Sequence, residues 1–305
     1  MIKSYLKIAF RTMARSKVYT LINLFGLSTG MAVSMLIGLW IYDELTFNAS
    51  FPNYSRIALV MRDLNINGSR LAFGGAPYEM EGELRQKYGS DFSRIVLGTP
   101  PGSEVLIIDG KSIRATGQFM GEEVIPMLSL HLLEGDPKGL HDPHSIFLSA
   151  STAHSLFGNS IAVGKTLNID SNRLVRVTGV YEDLPYNSDF RDLSFIAPLQ
   201  LYVFTQPMIR LGGNPWRVLN FFEVYVQLAE GADWDKVNDK IKYLRRDKMD
   251  IQTFNADRQL QFLYPMPRWH LHDALKTASG KRSARCADRS FCNSSASRFL
   301  PSAAR

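Results

Sequence analysis

Cysteine is almost missing from this chain: Cys286 and Cys292 are the only two in 305 residues, and both fall within the last 25 positions. No disulfide can therefore staple the stretch before them, and two thiols without companions do not make a four-ligand zinc site. The letters of nucleotide and metalloprotease chemistry are missing as well. There is no Gly-x4-Gly-Lys phosphate loop and no His-Glu-x-x-His. Charge is missing altogether from Val18 to Tyr42, and acidic residues are missing from positions 1–17.

What is present has an uneven distribution. Hydrophobic residues make up 45% and charged residues 21% of the chain, which suits a folding sequence and excludes wholesale disorder. The formal net charge of +6 sits at the two ends. Lys3, Lys7, Arg11, Arg15 and Lys17 supply one basic block; Lys281, Arg282, Arg285, Arg289, Arg298 and Arg305 supply the other, against Asp288 alone. The 263 residues between them carry 24 basic and 28 acidic side chains. A nucleic-acid binder needs a basic face on its folded body, and this body has none to offer, so no nucleic-acid partner is expected.

The 25 uncharged positions 18–42 are long enough, at about 1.5 Å per residue, to cross a hydrocarbon core of about 30 Å. A cleaved signal peptide would have an apolar stretch of only about 7–15 residues. Basic residues precede the span and Asp43–Glu44 follows it. That asymmetry predicts a cytoplasmic N-terminus and an extracytoplasmic chain from residue 43 to 305, in the cell's inner membrane. Gly26, Gly30, Ser34 and Gly38 recur every fourth residue, so they share one helix face on which another membrane helix can pack closely. Residues 1–17 alternate Ile2, Tyr5, Leu6, Ala9, Phe10 and Met13 with the basic stripe, which predicts an amphipathic helix lying on membrane lipid or docking a cytoplasmic partner.

Residues 43–280 read as a mixed α and β domain. Alternating β-branched and aromatic residues predict strands at Arg56–Arg62, Glu104–Ile108, Leu174–Tyr181 and Phe221–Leu228. Helices are expected over Pro77–Lys87 and Trp234–Lys248, the second burying Trp234, Val237, Ile241 and Leu244. Ser149 or Ser151 caps a short helix that Gly158 ends. Loops are expected at Gly98–Gly102, Asp136–Pro143 and Gly212–Pro215. His141, Asp142 and His144 share a proline-flanked loop, and His270 and His272 flank Leu271; both groups read as surface residues, not metal ligands. No catalytic, cofactor-binding or metal-binding residue is expected, and no enzyme activity.

A resemblance runs through the same residues. Tyr5-Leu-Lys-Ile-Ala-Phe-Arg11, Ser16-Lys17 and Ile22-Asn-Leu-Phe-Gly-Leu27 are similar to the opening of MacB-like, FtsX-type ABC transporter permeases. Asp43-Glu-Leu45, Phe51-Pro-Asn53, Phe147-Leu-Ser149, Leu156-Phe-Gly158 and Val163-Gly-Lys165 continue it. The strongest piece is Val177-Thr-Gly-Val-Tyr-Glu-Asp-Leu-Pro185 with Asn187-Ser188, followed by Phe222-Glu-Val-Tyr-Val-Gln-Leu228 and Trp269-His-Leu271. The resemblance implies an α+β architecture: one N-terminal transmembrane helix, then a periplasmic core domain of two subdomains. It also implies a cytoplasmic ABC ATPase partner, a second permease subunit in a dimer, and cargo such as peptides or lipoproteins.

Such permeases carry three further membrane helices, and none is present before Arg305. The segment 281–305 instead holds six Ser, five Ala and five Arg without apolar periodicity. It reads as an atypical, disordered or out-of-frame tail, and the chain as a truncated permease subunit. The competing expectation is a single-pass, membrane-anchored ligand-binding or sensor protein.

Overall fold

The computed structural model describes residues 2–66, 69–170, 172–206, 209, 216, 220–256 and 259–270. The tail 281–305 with Cys286 and Cys292, the His272 position and the loop Gly212–Pro215 lie outside the described residues. The chain divides into two units, one over residues 1–47 and one from Asn48 onward.

The first unit is helical. One helix covers Ile2–Arg15 and a second runs from Lys17 to Leu45, the break falling at Ser16. The long helix outlasts the uncharged run, because Asp43 and Glu44 complete its last turn. Thr46 closes it, its N–H and its hydroxyl both donating to the Tyr42 carbonyl, at 3.0 and 2.8 Å.

The second unit is built on strands β1 (Ile57–Ile66), β2 (Ser69–Phe73), β3 (Phe92–Gly98), β4 (Gly102–Ile108), β5 (Lys111–Met120) and β6 (Leu132–Gly135). It continues with β7 (Ser145–Ser149), β8 (Thr166–Ile169), β9 (Arg173–Tyr181), β10 (Phe195–Pro198), β11 (Glu223–Leu228) and β12 (Leu260–Pro265). Six of them close a ring, because β10 pairs with β7 on one side and with β5 on the other: β10-β7-β9-β8-β4-β5 and back. The ring mixes parallel pairs (β7–β9, β10–β5) with antiparallel ones. From β5 an open antiparallel wing leads away through β3, β11, β1 and β12. The link between ring and wing is slender: one paired position, Gly98 with Met120, with Thr99 and Gly121 amides adding a bond on either side.

Alternation along the strands fixes which side each residue faces. Ala58, Val60, Ile95, Leu97, Val224 and Val226 enter one buried cluster, while Ile57, Val96 and Tyr225 enter another on the opposite face. Helices Met80–Tyr88 and Trp234–Ile241 cover the first face with Met80, Leu84, Val237 and Ile241. The same cluster runs on into the ring, which Leu106, Phe119, Ile146, Leu148, Val175 and Phe195 fill. Ring and wing thus share one continuous buried cluster within the second unit.

Two helices differ from expectation. The first begins at Met80, three residues after Pro77. The second ends at Ile241, and a separate 3-10 turn covers Arg246–Lys248. Its start is set by Asp233, whose carboxylate accepts from the amides of Asp235 and Lys236 at 3.0 Å. Ser149 caps helix Ala150–Phe157 by accepting from Thr152, and Gly158 ends it at a φ of 63°. The exposed edge of β12 is occupied from within: Lys242 accepts from the Gln261 amide and Asn238 from the Leu263 amide. A strand edge covered in this way offers no template for another chain.

Candidate functional site

The helix Lys17–Leu45 is 29 residues long with a mean hydropathy of 1.8 over its most apolar window, and none of that window is buried. Around the expected stripe the surface is open. No atom lies within 4 Å of where a Cβ would stand on Gly26, Gly30 or Gly38, and the Ser34 hydroxyl is turned inward to the Gly30 carbonyl at 2.9 Å. Gly26-Leu-Ser-Thr-Gly30 also spells Gly-x-Ser-x-Gly, the letters of a hydrolase nucleophile elbow. Continuous helix runs through it, whereas the elbow needs a strand-to-helix turn, so these letters carry no nucleophile here.

Where the chain joins the second unit, Asn48 is buried at a φ of 63° and is bonded three times over. Its Nδ2 donates to Asp189 Oδ2 at 2.8 Å, its Oδ1 accepts from the Asp189 amide at 2.9 Å, and its own amide donates to the Asn187 carbonyl at 2.9 Å. Three residues on, Phe51 meets Phe190 edge-on at 5.8 Å, and Phe190 touches both Tyr225 and Trp269. Trp269 is held by its indole N–H donating to the Tyr264 carbonyl. The 3-10 turns Tyr54–Arg56 and Met266–Arg268 are neighbours around this cluster. The loop between β9 and β10 is thus clamped to the point where the chain arrives. Sequence reasoning missed this clamp; Asn48 at a helix end followed by Phe51-Pro52 was its only trace.

The charged groups are structural in their geometry. On the ring, Arg173 Nη2 donates to both Glu104 Oε2 and Asp170 Oδ2, at 2.9 and 2.7 Å, while its guanidinium lies 5.2 Å from the Phe119 ring centre. Burial and the neighbouring Asp170 push the Glu104 carboxyl up to about 7 despite the arginine. The hydrogen bond with Glu104 holds Asp170 low in turn. A carboxyl with a raised folded pKa stabilises the fold fully below its unfolded value and loses that contribution as pH rises toward 7. The thermal midpoint of wild type is therefore expected to fall between pH 5 and 7.5 more steeply than that of Glu104→Gln. Parallel slopes in a pH series of melts would show that Glu104 does not titrate in this window.

His141 pairs with Glu122 at 3.1 Å, and His144 lines a shallow depression of about 480 Å³ with Arg173, Leu174, Leu201 and Phe204. Among the described residues no group of three or more His, Cys, Asp or Glu is placed to hold a metal ion.

The MacB-like periplasmic core domain model matches residues 20–244. The chain belongs to the MacB-like periplasmic core domain family. Members of this family are extracytoplasmic domains of ABC transporter permeases, and the domain itself is non-catalytic. Solved structures agree with the MacB-like fold. The chain is similar to a permease-protein domain from Porphyromonas gingivalis, at 21% identity and a TM-score of 0.59, over 70% of this chain and 91% of that one. It is also similar to the periplasmic region of MacB from Actinobacillus actinomycetemcomitans, at 17% identity and a TM-score of 0.52, over 76% and 95%. No curated protein matches it. An apolar helix leading into a MacB-like domain makes this a membrane protein with an extracytoplasmic domain.

Proposed function

We propose that this chain is a permease subunit of an ABC transporter, without chemistry of its own, that couples a cytoplasmic ATPase to an extracytoplasmic domain for export or envelope transport of peptides, lipoproteins or similar cargo. The observation that carries this reading is an apolar helix long enough to span a membrane, with the MacB-like match running from residue 20 inside that helix to residue 244. The N-terminus lies in the cytoplasm, with Lys7, Arg11 and Arg15 exposed on the short first helix, toward anionic lipid or the ATPase. The stripe Gly26, Gly30, Ser34 and Gly38 receives a second membrane helix, that of another permease subunit in the dimer.

The test is co-purification of the tagged full chain from membranes of its own host in mild detergent. An ABC ATPase subunit and a second permease subunit are expected in the eluate. Gly26→Leu with Gly30→Leu should cut recovery of the second permease subunit several-fold, since leucines hold the helices apart. Recovery of the chain without any ATPase, in wild type and variant alike, would sink the reading.

A further inference from the structure

The apolar helix ends at Leu45, and the second unit begins only three residues later, at Asn48. Trp40 and Tyr42, both exposed, stand at the end of the uncharged run. Aromatic rings in that position mark the border between hydrocarbon and headgroups. The headgroup layer of one leaflet is about 5–8 Å deep, and Leu45 lies about 4.5 Å past Tyr42 along the helix axis. From Leu45, three residues of chain reach no further than about 10 Å. Chain length alone therefore delivers Asn48, and whatever is bonded to it, to the membrane surface.

What Asn48 holds is the loop after β9. Its amide donates to the Asn187 carbonyl at 2.9 Å, and its side chain is bonded twice to Asp189. Tyr186, next to that anchor, is 72% exposed, more than any other described aromatic of the second unit. Leu184, Tyr54 and Trp269 pack half-buried against the cluster that contains Phe51 and Phe190. Arg56 and Arg268 come from the two adjoining 3-10 turns. Tyrosine and tryptophan, apolar in body and polar at the tip, suit the zone where lipid meets water. Guanidinium groups match the oxygens of lipid phosphates. One face thus gathers both kinds of group at the point where the chain arrives.

We propose that this face of the second unit rests on the extracytoplasmic leaflet, with the Tyr186 ring inserted among the lipid headgroups and Arg56 and Arg268 paired with their phosphates. A bilayer is the occupant because the chain's own apolar helix brings the face to one. The proposal rests on the membrane placement of that helix and not on the transport reading. A chain that brings down no ATPase should still show it.

The test uses the full chain carrying Cys286→Ser and Cys292→Ser, in nanodiscs of phosphatidylethanolamine and phosphatidylglycerol with some nitroxide-labelled headgroups. A fluorophore on one introduced cysteine reports, by its quenching, how near it lies to those headgroups. Tyr42→Cys marks the bilayer border. Ser55→Cys, exposed on the first 3-10 turn, marks the proposed seat and leaves Tyr186 in place. Leu174→Cys is the control: it is 59% exposed and stands seven residues before Tyr181 on β9, about 23 Å away. Quenching of the Ser55→Cys label is expected to be about threefold stronger than that of the Leu174→Cys label. Adding Tyr186→Ser, which spares the core because Tyr186 is exposed, should cut the Ser55→Cys signal by about half. Equal quenching of these two labels, beside strong quenching of the Tyr42→Cys label, would overturn the seat. A Ser55→Cys signal indifferent to Tyr186→Ser would overturn insertion of the ring. Loss of quenching at the Tyr42→Cys label as well would remove the membrane placement and the seat together.

Discussion

Replacing Gly135 with alanine should cost about 3–5 kcal/mol and lower the melting midpoint by about 10 °C. Gly135 stands at a φ of 95°, where an L side chain is strained, at the end of β6 opposite Gly179 of β9. An added Cβ would lie 2.1 Å from the Thr178 carbonyl oxygen and 2.6 Å from the Gly179 Cα, so two backbones would have to part. They cannot part cheaply. On the far side of β9, the fully buried Phe147 ring fills the space that a Cβ on Gly179 would need, and Gly139 lies against the same ring. Cores packed to crystal-like density transmit such strain. Circular dichroism melts of the full chain would decide it; a midpoint within about 2 °C of wild type would mean that β6 and β9 do not approach this closely.

Asn48→Ala should be nearly as damaging, at about 3 kcal/mol, and more local in its signature. It removes two side-chain bonds to Asp189, one of them to the carboxylate, where a bond is worth about 1.5–3 kcal/mol. It also leaves alanine at a φ of 63°, at about 1 kcal/mol. Because Asn48 clamps the loop between β9 and β10, amide exchange should accelerate over residues 186–193 while the β4–β5 hairpin keeps its protection. A double-mutant cycle with Asp189→Ala should give a coupling above about 1 kcal/mol. Additive effects, or exchange that rises evenly over the domain, would show the clamp to be incidental.

Much of the architecture was legible in the sequence because its signals are local. Twenty-five uncharged residues specify a long helix, alternation in Leu174–Tyr181 and Phe221–Leu228 specifies strands, and Ser149 with Gly158 brackets a helix. Lys242 to Leu244 still looked helical, since Leu244 continues the apolar spacing; the chain turns there because β12 needs the Lys242 carbonyl for its edge. Short strands such as β6, β8 and β10, four residues each, are too brief for periodicity to reveal. Long-range pairing left no mark at all. Nothing in Asn48 foretells Asp189, because that pair exists only after the sheet has assembled. The stripe on the apolar helix was legible for the opposite reason: four residues one turn apart need no tertiary partner to share a face.

The place of β1 has a consequence for how this domain comes into being. Ile57 pairs with Gln227, 170 positions later, and Ala58 pairs with Pro265, 207 positions later. As the chain is synthesised from its N-terminus, β1 is the first strand made; its second half can pair with β2 at once, but its first half has no partner until β11 and β12 appear. Meanwhile its apolar residues, Ile57, Ala58, Val60 and Met61, wait unpaired. The ring can close earlier, since its members all lie between residues 102 and 198. Loops that long make non-local pairing slow and leave waiting strands open to aggregation. The wing is therefore where a chaperone would be needed, and where slow synthesis of residues 223–265 would do most harm.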